Sequence, residues 1–143
     1  MEDVKTILLV EDEEVLRNLI RDLLESKGYR LHCAAGGEEA LGILEKIGGR
    51  IDLLLTDVMM PRMNGSELVE ILLPQFPGLK VIFMSGFTGG STTFIQRSLI
   101  SADVIFLQKP FRLNELLEEI RGLLALPAEP GQKQGEAGKI NGP

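Results

Sequence analysis

The sequence predicts an α/β protein: one doubly wound parallel sheet of five strands, (βα)5, with helices on both faces. Three observations carry this. Short apolar runs recur at residues 6–10, 30–34, 51–56, 80–84 and 104–107. Stretches with helical periodicity separate them. Most of the runs are continuous rather than alternating, as in strands covered on both faces, and right-handed crossovers then place helices on either side of the sheet.

The first run, Thr6-Ile7-Leu8-Leu9-Val10, is followed by Val15, Leu16, Leu19, Ile20, Leu23 and Leu24, one apolar stripe at helical spacing. The run at 30–34 is the weakest and carries His32 and Cys33. As neighbours on a strand they point to opposite faces, with Cys33 expected inside and His32 outside. Ala40, Leu41, Leu44 and Ile47 make a shorter stripe. After the run at 51–56 come Leu68, Val69 and Leu72, a stripe that Pro74 stops. The run at 80–84 leads to 89–101, where Phe94, Ile95 and Leu99 fit a helix but Gly89, Gly90, Thr92 and Thr93 weaken it; this is expected to be the most mobile helix. The last run, 104–107, precedes the stripe Leu113, Leu116, Leu117, Ile120, Leu123 and Leu124. From Pro127 the composition shifts to Pro, Gly, Gln, Lys and Glu without apolar period, so the expected organisation is one domain over 1–126 and a disordered tail or linker over 127–143.

With 143 residues, 44% of them apolar and 25% charged, the chain suffices for one domain with one core. Fifteen basic against twenty-one acidic residues give a formal charge of −6, and no basic cluster offsets it, which argues against direct nucleic-acid binding. The apolar run at 7–10 is too short for a signal peptide or a membrane span, so a cytoplasmic protein without membrane insertion is expected. One cysteine and one histidine exclude an internal disulfide, a Cys/His zinc site and make a catalytic Cys–His pair improbable.

In a parallel sheet of this kind ligands gather at the carboxyl ends of the strands. There the sequence places Glu11, Asp12, Glu13 and Glu14 after the first strand, ends the third at Asp57 and the fourth at Ser85, and runs the fifth into Lys109-Pro110. Taken singly, each has a plain explanation: Asp12, Glu13 and Glu14 suit the first turn of a helix, Asp57 a turn, Lys109 the surface. Their convergence on one rim argues for chemistry. Crowded carboxylates repel unless a cation shares the site, and Mg²⁺ takes oxygen ligands of this kind. Lys109 and the Ser85 hydroxyl can then bind phosphoryl oxygens.

These residues resemble the receiver domains of response regulators, the CheY-like proteins. The resemblance covers residues 4–126 and rests on Ile7-Leu8-Leu9-Val10-Glu11-Asp12-Glu13, Leu53-Leu54-Leu55-Thr56-Asp57-Val58-Met59-Met60-Pro61-Arg62-Met63-Asn64-Gly65, Met84-Ser85-Gly86 and Gln108-Lys109-Pro110-Phe111. It implies a flavodoxin-like sheet of order 2-1-3-4-5, with Asp57 as phosphoacceptor. Glu11, Asp12, Asp57 and the Met59 carbonyl would hold Mg²⁺, while Lys109 and Ser85 would bind the phosphoryl group. Glu11 stands where an aspartate is commoner and Gly86 where alanine is; Lys109–Pro110 matches the family's cis peptide. Ser85 and Phe106 would act as the switch, read out on the face of the last strand and last helices. The donor would be a histidine kinase or a histidine phosphotransfer domain, since nothing here resembles a kinase helix or nucleotide loop. The resemblance implies a phosphoacceptor rather than an enzyme in the usual sense, acting as a monomer or weak dimer. Met59 and Phe87, both apolar, would shield an acyl phosphate.

Three other readings compete. A Mg²⁺-dependent phosphatase of the haloacid-dehalogenase type also uses an aspartyl nucleophile, but it needs Asp-x-Asp after the first strand, where this chain has Asp12-Glu13-Glu14. A flavodoxin-like mononucleotide binder would not line its phosphate loop with acids. An interaction receiver that is never phosphorylated would have no use for Asp57, Ser85, Lys109 and the acidic pair together. The segments 80–88 and 106–111 resemble the receivers of hybrid kinases more than stand-alone regulators.

Overall fold

The computed structural model describes residues 4–86 and 103–125. Five strands, β1 (Thr6–Val10), β2 (Arg30–Ala34), β3 (Leu53–Asp57), β4 (Lys80–Ser85) and β5 (Asp103–Gln108), form one parallel sheet in the order β2-β1-β3-β4-β5. The described helices are α1 (Glu14–Ser26), α2 (Gly37–Ile47), α3 (Gly65–Leu72) and α4 (Leu113–Leu124). The helix expected within 89–101 and the tail expected over 127–143 lie outside the described residues.

Alternation along each strand divides the core in two. Leu8, Val10, Leu54, Val81 and Phe83 face one way and pack with Ala40 of α2 and with Leu68, Val69 and Leu72 of α3. Ile7, Leu9, Leu53, Leu55, Ile82 and Met84 face the other way and pack with Ile20 and Leu24 of α1 and Leu116, Leu117 and Ile120 of α4. Every residue of β3 and β4 is buried, which is why these runs read as continuously apolar.

The helix ends follow from local chemistry. Asn64 caps α3: its Oδ1 accepts from the Glu67 amide at 2.8 Å, and the Glu67 carboxylate accepts from the Asn64 amide at 2.9 Å. Gly65 must be glycine. A Cβ there would collide with the Asp57 carbonyl oxygen, and the Gly65 amide donates to the Val58 carbonyl at 2.8 Å, tying the start of α3 to the end of β3.

Asp57 and Ser85 end β3 and β4, as expected, and the ladder runs to Asp57↔Met84 and Ser85↔Gln108. The structure corrects two expectations. Cys33 is half-buried, as is His32, because β2 is an edge strand with a single neighbour. The stripe of α1 is wider than its contact with the sheet: Ile20 and Leu24 are buried, but Val15 is 68% and Leu19 50% exposed. Among the described residues no helix is long and apolar enough to cross a membrane.

Candidate functional site

At the carboxyl rim of the sheet, β1, β3 and β4 end on buried polar residues. Glu11, directly after β1, is fully buried, and Asp57 and Ser85 are each 4% exposed. The Glu11 amide donates to the Ala34 carbonyl at 3.0 Å, continuing the pairing with β2 for one more residue. Its Oε2 accepts from the Glu13 amide at 2.9 Å, and its carbonyl accepts from Arg17 Nη1 at 2.8 Å. Arg17 was not anticipated from the sequence; its position in the first turns of α1, just past the acidic run, was the available signal.

Lys109 reaches across the rim. Its amide donates to the Ser85 carbonyl at 2.8 Å, and it precedes a cis Lys109–Pro110 bond, as the resemblance implied. Its Nζ lies 2.9 Å from Asp57 Oδ1 and 3.1 Å from Glu11 Oε1. One ammonium therefore serves two buried carboxylates. Asp12 is exposed, yet carboxylate oxygens of Glu11, Asp12 and Asp57 all lie within 4.8 Å of one another.

Among the described residues, three carboxylates against one ammonium leave the rim electrostatically short of positive charge. Burial pushes the Asp57 carboxyl up to about 7; the Lys109 hydrogen bond and charge oppose this, and the neighbouring Glu11 reinforces it. Burial also works against the Lys109 ammonium, but the hydrogen bonds and charges of Asp57 and Glu11 outweigh it and hold its pKa above the usual lysine value. The donor set is all oxygen, acidic and partly open through Asp12, which suits a hard divalent cation such as Mg²⁺.

Of the residues expected at the site, Glu11, Asp12, Asp57 and Lys109 are brought together by side-chain contact and proximity, and Ser85 joins through its backbone. Met59 lies in the loop after β3 and is 64% exposed; Phe87, its expected companion, is outside the described residues. Phe106 is half-buried on β5, stacked on Phe83 with ring centroids 5.3 Å apart. A cleft of about 240 Å³ opens on the Asp12 side, between the start of α2 and the loop at Pro61 and Arg62.

The sequence pattern of the Response regulator receiver domain matches residues 7–121. The chain belongs to this family. As a receiver domain it is a component of two-component signal transduction, and domains of this kind are phosphoacceptor switches rather than enzymes in the usual sense. Receiver domains hold Mg²⁺ at an acidic pocket, and relatives in the family interact with histidine kinases or phosphotransfer proteins. The chain is 40% identical over 119 residues to the sensor kinase CckA of Brucella abortus, covering 83% of this chain but only 12% of that protein. It is 35% identical to the response regulator receiver protein CpdR of the same organism, covering 85% of this chain and 98% of that one. Among solved structures, a CheY-like receiver domain from Methanospirillum hungatei superposes with a TM-score of 0.77 at 30% identity, over 86% of this chain and 95% of that one. The receiver fold and the strand order implied by the sequence motifs are both present.

Proposed function

We propose that Asp57 is the phosphoacceptor and that this receiver takes its phosphoryl group from a phosphohistidine on a histidine kinase or a histidine phosphotransfer domain. The observation that carries the reading is the Lys109 ammonium held 2.9 Å from the buried Asp57 carboxylate, within a cluster of carboxylates at the carboxyl rim. An Asp57 oxygen attacks phosphorus; a P–O bond forms, the P–N bond of the donor breaks, and its imidazole leaves with the bonding pair. Lys109 stabilises negative charge on the phosphoryl oxygens, and the Ser85 hydroxyl donates to another. Glu11, Asp12, Asp57 and the Met59 carbonyl would hold Mg²⁺, whose role is to neutralise the remaining phosphoryl charge.

Val15 and Leu19 sit one turn apart on α1 close after Glu11 and Asp12, and their exposure supports a docking ledge for the donor helix. Phosphorylation would draw Ser85 toward Asp57 and let Phe106 turn inward, altering the face of β5 and α4 that a downstream protein reads. The domain, expected to act in the cytoplasm as a monomer or weak dimer, would extend through residue 126, with 127–143 as a linker or tail.

Intact mass after incubation with Mg²⁺ and acetyl phosphate, or with a phosphorylated donor domain, tests this reading. One phosphoryl group should be added, dependent on Mg²⁺ and absent in Asp57→Asn. No addition from any donor would leave a receiver that works by constitutive protein contacts.

A further inference from the structure

Phe83 and Phe106 are register partners on β4 and β5, on the face of the sheet that packs against α2 and α3. Their rings stack with centroids 5.3 Å apart and planes 17° from parallel. Phe83 is fully buried and Phe106 half-buried, so a ring fixed in the core supports one that borders the surface. Phe83 also meets the first residue of α3: a Cβ at Gly65 would lie 3.1 Å from Phe83 Cε1 while colliding with the Asp57 carbonyl oxygen. A line of close packing thus runs from the backbone of Asp57 through Gly65 and Phe83 to Phe106, without passing through Ser85.

We propose that Phe83 is the positioning residue that couples Phe106 to Asp57, a packing route beside the one through Ser85; it rests on the phosphoacceptor reading only in calling Asp57 the acceptor. Leucine or isoleucine at position 83 would also be apolar, but a stacked ring adds a directional restraint. For Phe106 to settle deeper against the core Phe83 must give way, and the Phe83 ring is packed against the first residue of α3, where a Cβ at Gly65 would lie 3.1 Å from its Cε1. Close-packed interiors respond to such a constraint by moving between discrete arrangements rather than by deforming smoothly. The backbone beside Asp57 therefore sets the positions open to the pair of rings.

Fluorine NMR of the full chain labelled with 4-fluorophenylalanine tests this. The chain has six phenylalanines, and the resonance of Phe106 is assigned by its loss in Phe106→Leu. Two perturbations at the acceptor are compared: Asp57→Asn, and addition of Mg²⁺ with beryllofluoride. In the otherwise native chain at least one should move the Phe106 resonance. In Phe83→Leu each such shift should fall roughly threefold or more, as for residues coupled through a shared contact. Phe83→Met, whose unbranched side chain adapts to an irregular space, replaces the leucine variant should that one unfold. Ile82→Val, in the core on the opposite face of the same strand, should leave the shifts at full size and so separates coupling from general loosening. Full-size shifts without Phe83, or an immobile Phe106 resonance under both perturbations, would overturn the proposal. Failure of beryllofluoride to bind while Asp57→Asn still moves Phe106 would count against the phosphoacceptor reading and leave the role of Phe83 standing.

Discussion

The two ends of the sheet use similar residues to opposite effect. At the amino end the charges are matched: the buried Lys80 ammonium lies 3.0 Å from Asp103, and Asp52 accepts from the Thr6 amide at 2.8 Å with Arg50 at 3.7 Å. These contacts stitch β1, β4 and β5 at or near their first residues to their neighbours. At the carboxyl end Glu11 and Asp57 share one ammonium, Asp12 adds a third carboxylate, and Asp57 is pushed up to about 7. The lesson is that the carboxyl rim is held away from its own electrostatic optimum, as sites that bind cations and phosphoryl groups are, while the amino rim serves the fold.

The largest effect expected from breaking this contrast is at Lys109. Lys109→Met should slow Mg²⁺-dependent phosphorylation by roughly 100-fold or more, measured as the rate of mass gain, since it removes the ammonium that sits 2.9 Å from Asp57. At the opposite end, Asp103→Ala leaves the Lys80 ammonium buried without its partner. Urea denaturation should show a loss of about 1–3 kcal/mol, with the phosphorylation rate unchanged. An Asp103 variant that slowed phosphorylation as much as Lys109→Met would erase the distinction between the two ends.

The smallest effect concerns pH. In the folded, metal-free chain Asp57 holds its proton up to about pH 7, against 3.8 for an ordinary aspartate. The folded state therefore binds the extra proton between those values, so the stability contributed by protonated Asp57 is fully present below pH 3.8 and lost as pH rises through about 7. Asp57→Asn should escape this loss. Its melting temperature should exceed that of the native chain by about 2–5 °C at pH 8 in the presence of a chelator, and the gap should narrow toward pH 5. An equal difference at both pH values would mean that charge at position 57 is not the cause.

Much of this was legible in the sequence, for identifiable reasons. The runs at 6–10 and 30–34 match β1 and β2 residue for residue, and the continuous apolar character of β3 and β4 follows from burial on both faces. Asp57 and Ser85 were readable as strand ends because polarity stops each apolar run, and the backbone ladder extends to both. The gathering of Glu11, Asp12, Asp57 and Lys109 was readable because topology alone brings strand ends together. The hold of Arg17 on the Glu11 carbonyl, the exposure of Val15 and Leu19, and the Phe83–Phe106 stack were not, since each depends on register, helix rotation or side-chain rotamer.

The central claim is that the phosphoryl group resides on Asp57, and the most direct test is to trap it there. Reduction of the phosphorylated chain with borohydride converts an acyl phosphate to the corresponding alcohol, and peptide mass mapping then locates the modified residue. The account predicts homoserine at position 57. Reduction at Glu11 or Asp12 instead, or a phosphorylated chain with no reducible carboxylate, would contradict it.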